Sequence, residues 1–307
     1  MTDLLQLPPD PIYDRRRTIQ SMASASMGRR KMRNQVFTGL IVSCLVIALI
    51  PLFFVILAII EKGIAAISWG FISKTPVQPT IFDQNNIGGV GNAIVGTLII
   101  VGLAALIAVP VGIIVSIYLA ESDNKVANLF RAAIEILTGL PSILLGVFAY
   151  SYIVLKTHTY SGWAGSFALA VLMIPVITKA SENAIRSVPA TLTEAGLSLG
   201  ARSSTVVRKV VVPAAAPGII TGVLLALARA IGETAPILLV IGASLNYEVN
   251  PLNPMPALPT TIYNYAGSAY ASQRTAAWGV AFILVVLVLI LSLGSRFIAA
   301  RMRRERH

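Results

Sequence analysis

The chain has 307 residues, of which 56% are apolar and 12% charged, about half the share of roughly 25% usual in soluble domains. A globule of this size needs polar side chains over its surface, so a soluble enzyme, a disordered tail and a secreted disulfide scaffold are excluded and a polytopic membrane protein remains. The net charge of +11 must be located before it is read, because gathered on one side of a bilayer it reports orientation and not nucleic-acid binding.

Residues 1–35 are rich in Pro, Ser and Arg, lack apolar helical periodicity, and read as a flexible basic tail; an interfacial segment over 22–32 is the alternative. The first charge-free run, 36–60, is long enough to cross a bilayer, which takes roughly 20 apolar residues. It is too long for a signal-peptide core of about 7–15 residues and has no small-residue cleavage site after it, so it reads as a retained span. Its Cys44 is the only cysteine; with two histidines, His158 and His307, no internal disulfide and no Cys/His metal site is expected. Further spans fall at 90–120, broken by Gly96, Gly102, Pro110 and Gly112, and at 136–155, with Pro141 near its start. The fourth covers 163–178 and must extend through Lys179 and Glu182 towards Arg186. The fifth covers 214–247, its helix ending near Gly242, and the sixth covers 275–295.

With the N-terminus inside, only Lys62, Lys74, Lys156 and Arg274 of the 24 basic residues lie outside and Arg229 lies within a span. The other nineteen lie inside, which places both termini in the cytoplasm. Residues 61–89 and 243–274 become the larger external segments. Pro251, Pro254, Pro256 and Pro259 disfavour regular helix in the second, and each segment reads either as a solvated connector or as a contact for an external partner. Lys179, Glu182 and Arg186 form a ladder on one helix face, and Arg131 with Glu135 reads the same way, both structural. Gly91, Gly96, Gly102, Gly139 and Gly146 are read as close helix packing.

The loop 187–213 is the most informative. Leu192, Ala195 with Gly196, and Leu199 recur at helical spacing, with Pro189 suited to the first turn and Gly200 to the end. A second short helix starts at Ser203-Ser204-Thr205 and is expected to stop before Pro213. Small residues on an apolar face suit either docking of a cytoplasmic protein or a loop lying on the membrane. The run Glu194-Ala195-Gly196, three residues, Gly200, nine residues, Val210-Val211-Val212-Pro213 resembles the EAA loop of bacterial ABC importer permeases, with Gly196 and the valines as conservative departures. That resemblance implies that Glu194, Ala195, Gly196, Gly200 and Pro213 belong to a docking surface for a separate ATPase. The chain has no Gly-Lys pair and hence no phosphate-cradling loop of its own. Its energy must come from a partner or an ion gradient.

In the fifth span, Arg229 and Glu233 interrupt an otherwise apolar run. Four residues apart, they share a helix face and can pair, either as a structural ion pair or as an arginine lining an anion path, for which the guanidinium fork is suited. Gly232 leaves room for close approach, and Pro236 opens the helix ladder. Residues 229–236, Arg-Ala-Ile-Gly-Glu-Thr-Ala-Pro, resemble the fifth-span motif of phosphate-specific permeases, and Leu140-Pro141-Ser142-Ile143-Leu144-Leu145-Gly146-Val147-Phe148 resembles their third-span segment. With the loop and six spans, the chain is similar to the PstA-type subunits of bacterial phosphate ABC importers over all but residues 1–35.

The resemblance implies an all-α, six-span permease domain of type I ABC importer architecture over 36–300, with cytoplasmic tails 1–35 and 301–307. It implies phosphate import by alternating access, with Arg229 and Glu233 on the path; the resemblance does not extend to Thr234 and Ser142, whose place along the path is an expectation of our own. It implies as partners a second, PstC-like permease, a PstB-like ATPase dimer carrying Mg-ATP, and a PstS-like extracytoplasmic phosphate-binding protein. The chain itself is expected to bind no cofactor or metal and to catalyse no covalent chemistry. The alternatives are the sister phosphate permease, a molybdate or sulfate permease, an ion-coupled secondary transporter, and a non-transporting assembly protein.

Overall fold

A computed structural model describes residues 11–78 and 88–304. Among the described residues the chain is helical without strands: α1 (Pro11–Ala66), α2 (Trp69–Ser73), α3 (Gly91–Glu121), α4 (Lys125–Gly139), α5 (Ser142–Thr157), α6 (Gly162–Arg186), α7 (Ala190–Ser198), α8 (Ser203–Ile231), α9 (Ala235–Leu238), α10 (Leu258–Ala266) and α11 (Ala271–Arg304). Five helices are long and apolar enough to cross a membrane, and the bent pair α4–α5 is the sixth candidate.

Met1–Ala58 forms one compact unit and Ile59–His307 a second. In the first, helix runs from Pro11 through the residues expected as a flexible tail, where Arg, Met, Ala and Gln favour it despite the missing periodicity. Every residue of α1 from Arg30 to Leu57 is exposed, and a helix apolar on all sides suits lipid or a larger assembly. The expected C-terminal tail is likewise helical as far as Arg304; residues 1–10 and 305–307 lie outside the described residues.

The second unit is built around α6, which packs against α3 on one flank and α8 on the other. Small residues bring these backbones together. A methyl placed on Gly112 would lie 2.7 Å from Ile177, one on Gly218 2.6 Å from Ala184, and one on Gly222 2.5 Å from Ala180. Ile100, Ala104, Ala108, Leu169, Met173, Ile177, Ala226 and Ala230 fill the core between them.

Two expected spans are not single helices. The third breaks at Leu140-Pro141, where α4 and α5 meet at 101°. Leu140 is extended (φ −69°, ψ 136°), as a residue before proline tends to be, and α4 is an amphipathic helix ahead of the crossing segment. The fifth stops at Ile231, eleven residues before the expected end near Gly242, because Gly232 caps it and Pro236 cannot continue its ladder. At its other end α8 does not stop before Pro213. A wide turn over Val207–Val211, closed by Val212 N–H on Val207 O, sits directly ahead of Pro213 and accommodates its ring, so helix is continuous from Ser203 to Ile231.

The proline-rich segment 243–258 is solvated over most of 243–253 and packs into the protein at its end. Met255, Ala257 and Leu258 are fully buried, and Pro259 opens α10, a helix that the proline content argued against. Backbone bonds stitch the segment to the start of α6 and to the chain just after α9: Gly162 N–H to Asn253 O (3.1 Å), Trp163 N–H to Pro251 O (2.7 Å) and Met255 N–H to Ile241 O (3.1 Å). The Thr97 hydroxyl accepts from Leu258 N–H (2.8 Å), and Asn92 Nδ2 donates to Ser244 O (2.8 Å). Gly96 lies directly beneath Pro256 O and Gly91 beneath Tyr247 Oη, so these two glycines admit loop backbone and side chain and not a neighbouring helix. Gly102 and Gly139 face open space.

Candidate functional site

The two motif-bearing segments meet where both are broken. Gly146 of α5 lies against Pro236 of α9, close enough that a methyl on Gly146 would sit 2.6 Å from Pro236 O and 2.9 Å from its Cα. Immediately before this joint the chain leaves α8 in a tight turn, with Gly232 N–H donating to Arg229 O (3.1 Å) and Glu233 N–H to Ala230 O (3.2 Å). Arg229 and Glu233 pair across the turn, Arg229 Nε donating to Glu233 Oε1 at 3.2 Å, so the pair forms although the helix has ended between its members. The Arg229 side chain is 53% exposed and that of Glu233 19%. The two Nη groups of Arg229 carry four N–H donors that no described residue accepts. A guanidinium fork of this kind takes a carboxylate, phosphate or sulfate. Thr234 and Ser142 are half-buried at the two breaks, Thr234 in the turn before α9 and Ser142 at the start of α5.

At the opposite end of α8, helix α7 begins after Pro189 and is closed by Gly200, whose φ of +78° is the left-handed conformation that glycine adopts without a Cβ penalty. Glu194, Ala195, Leu192 and Leu199 are exposed, Leu199 at 89%. Gly196 is turned inward: a methyl there would lie 2.9 Å from Val206, so this residue seats α7 on the first turns of α8 and does not face outward. The apolar, small-residue surface of the loop is therefore carried by Ala195, Leu192 and Leu199. Pro213 is exposed beyond the wide turn.

The base of this loop is tied to the end of α3 by a network in which Glu182 and Arg186 pair as their spacing leads one to expect, while Arg131 does not follow its spacing. Arg131 does not pair with Glu135; it donates to Asp123 Oδ1 (2.9 Å), Glu182 Oε1 (3.3 Å), Leu119 O (2.6 Å) and Ser122 O (2.9 Å). Arg186 donates to Glu182 Oε1 (3.1 Å), Leu119 O (3.0 Å) and Asp123 Oδ1 (3.4 Å). Two guanidinium groups thus cover the C-terminal carbonyls of α3, where the helix dipole is negative. Hydrogen bonds from Arg131 and then Arg186 hold the Asp123 carboxyl below its ordinary value. Asp123 carried no sequence signal, since its partners lie on two other helices.

Residues 108–304 match the family described as binding-protein-dependent transport system inner membrane component. The chain is 37% identical over 269 residues to the phosphate transport system permease protein PstA of Haemophilus influenzae, covering 87% of this chain and 94% of that one. It is 35% identical over 286 residues to PstA 1 of Mycobacterium tuberculosis strain H37Rv (90% and 91% covered). Among solved structures it resembles a subunit of the inward-facing MetNI methionine ABC transporter, with TM-score 0.54, 25% identity, and 70% of this chain and 94% of that one covered. A bacterial alginate ABC transporter crystallised with a pentasaccharide-bound periplasmic protein shares the fold more broadly, with TM-score 0.63, 14% identity, and 88% and 96% covered.

Proposed function

The chain belongs to the family of binding-protein-dependent transport inner-membrane components, and on that premise we propose how it works as the permease subunit of an ATP-driven phosphate importer. It is a multi-pass inner-membrane transport subunit. The two motif segments and the docking loop, at opposite ends of α8, supply a path and a drive. Phosphate passes the joint between α5 and α9, where the free fork of Arg229 takes the anion and Glu233 holds the guanidinium between substrates. The exposed Arg229 guanidinium, paired through Nε with Glu233 at the joint, supports this reading, because an ionisable group in an apolar span marks an ion path and its fork suits an oxyanion.

The chain makes half of the path and a second permease the other half. Both termini lie in the cytoplasm, as the basic residues indicate, which directs α7 and Gly200 towards a cytoplasmic ATPase dimer carrying Mg-ATP. The ends of α5 and α9 and the exposed run 243–253 then face an extracytoplasmic phosphate-binding protein. ATP-driven closure of the ATPase moves α7 and opens the path outward; hydrolysis returns it to the inward-open state. The similarity to PstA proteins over almost the whole chain favours this over the sister permease, over molybdate or sulfate carriage, and over a secondary transporter.

The test is uptake by proteoliposomes holding the chain with its co-purified partners, supplied with binding protein and several oxyanions. Arg229→Ala is expected to abolish phosphate uptake while the complex is still recovered. Normal uptake by that variant, or purification of an active transporter without any ATPase, would refute the assignment.

A further inference from the structure

A cleft of about 640 Å³ opens at the Gly146–Pro236 joint, and neither Arg229 nor the docking loop lines it. Val147 and Tyr150 of α5 form one wall, the chain from Leu238 to Ala243 after the joint a second, and Tyr160 with Thr260 and Asn264 of α10 close it. Tyr150 heads the wide turn Tyr150–Val154, a distortion frequent at functional sites. Its ring lies 6.4 Å from that of Tyr160. The Thr260 hydroxyl is committed, accepting from Ala257 N–H (3.2 Å) and donating to Ala257 O (2.9 Å). The heads of Tyr150, Tyr160 and Asn264 make no hydrogen bond to a described residue, and no charged side chain lines the cleft among the described residues.

We propose that this cleft is an uncharged oxyanion subsite on the path, where Tyr150, Tyr160 and Asn264 hold hydrogen phosphate ahead of Arg229. The proposal rests on the phosphate reading above and deepens it. A path must bind its ion firmly enough to admit it and weakly enough to release it. Neutral donors bond an anion about half as strongly as charged ones, so they suit a waiting position, whereas an arginine there would trap the ion and a carboxylate would repel it. At roughly 30 Å³ per water, the cleft has room for a tetrahedral anion with much of its hydration. Tyrosine hydroxyls and the asparagine amide also accept hydrogen bonds. Hydrogen phosphate has an O–H to give them and sulfate has none, so the subsite favours phosphate.

The complete complex in proteoliposomes tests this. Tyr150→Phe with Tyr160→Phe, and separately Asn264→Leu, remove the polar heads while keeping most of the volume. Each lost hydrogen bond should slow phosphate uptake roughly two- to tenfold with complex recovery unchanged, and Asn264→Gln should restore part of the rate. Full uptake by both variants would overturn the proposal. A second measurement reads occupancy directly: Ala243→Cys, on the cleft wall, in a Cys44→Ser background, should react more slowly with a thiol reagent in inorganic phosphate than in sulfate. Equal reaction rates with and without phosphate would overturn the subsite, and equal protection by sulfate would overturn the discrimination. Arg229→Ala run alongside separates the two readings. If it loses uptake while the cleft variants keep theirs, the subsite fails and the function stands; if the intact complex carries another oxyanion and not phosphate, the function reading fails.

Discussion

Exchanging one hydrogen atom for a methyl group at Gly146 tests whether the joint between the broken helices matters. The added carbon would lie 2.6 Å from Pro236 O, against about 3.3 Å for the closest ordinary carbon–oxygen contacts. The two backbones would have to separate by roughly 0.7 Å, the difference between those two distances. Overpacking of this kind costs about 1–3 kcal/mol, offset by up to about 1 kcal/mol because alanine is the better helix former. Gly102→Ala in α3 is the matched control: it receives the same helical gain and meets nothing within 4 Å. Gly146→Ala should therefore be less stable than Gly102→Ala by about 1–3 kcal/mol, read as thermal unfolding of the purified complex. It should also lose most phosphate uptake, since Pro236 shifts together with the turn that holds Arg229 and Glu233. Equal stability and equal uptake of the two variants would refute the idea that α5 and α9 are held in register here.

Gly196→Val should push α7 off Val206, which lies 2.9 Å from the position of the new carbon, and uncouple ATP hydrolysis from uptake; coupled hydrolysis at the normal rate would count against the seat. Gly200→Ala forces alanine into the left-handed region at φ +78° and should destabilise the loop by about 1–2 kcal/mol, visible as faster proteolysis between α7 and α8. Leu199→Asp, at a side chain 89% exposed, should leave folding intact and reduce the ATPase recovered with the chain; unchanged recovery would move the docking surface elsewhere. For Asp123 the folded-state value is depressed by Arg131 and Arg186, so the unfolded state binds more protons across the interval and stability rises with pH there. The network should be indifferent to pH from neutrality down to about the ordinary aspartate value of about 3.9 and weaken only below it. Asp123→Asn should abolish that acid dependence, and an unchanged profile would exclude Asp123 as its source.

The spans were legible because charge is scarce, and a run without it reads directly as bilayer length. Breaks inside them were less so. Pro141 and Pro236 were visible, yet prolines are also tolerated within membrane helices, as Pro110 and Pro175 are here. Whether a proline breaks depends on what packs at the gap, and Gly146 against Pro236 is a contact between distant parts of the chain. The Arg229–Glu233 pair was legible because its spacing is local. Arg131 was assigned to Glu135 for the same reason, and the true partners, Asp123 and Glu182, come from other elements. The exposed run 243–253 was legible as a connector, whereas the burial of Met255, Ala257 and Leu258 was not, because their partners sit at the starts of α3 and α6, where no local pattern announces them.

The continuity of α8 through Pro213 has a mechanical consequence. From Ser203 to Arg229 the helix is a rod of about 40 Å at 1.5 Å per residue. A stop at Pro213 would have made a swivel that absorbs motion; the wide turn leaves a lever. On an arm of that length, rocking the Ser203 end by about 3° displaces the Arg229 end by about 2 Å. That is most of a hydrogen-bond length, enough to make or break the grip of a guanidinium on an anion.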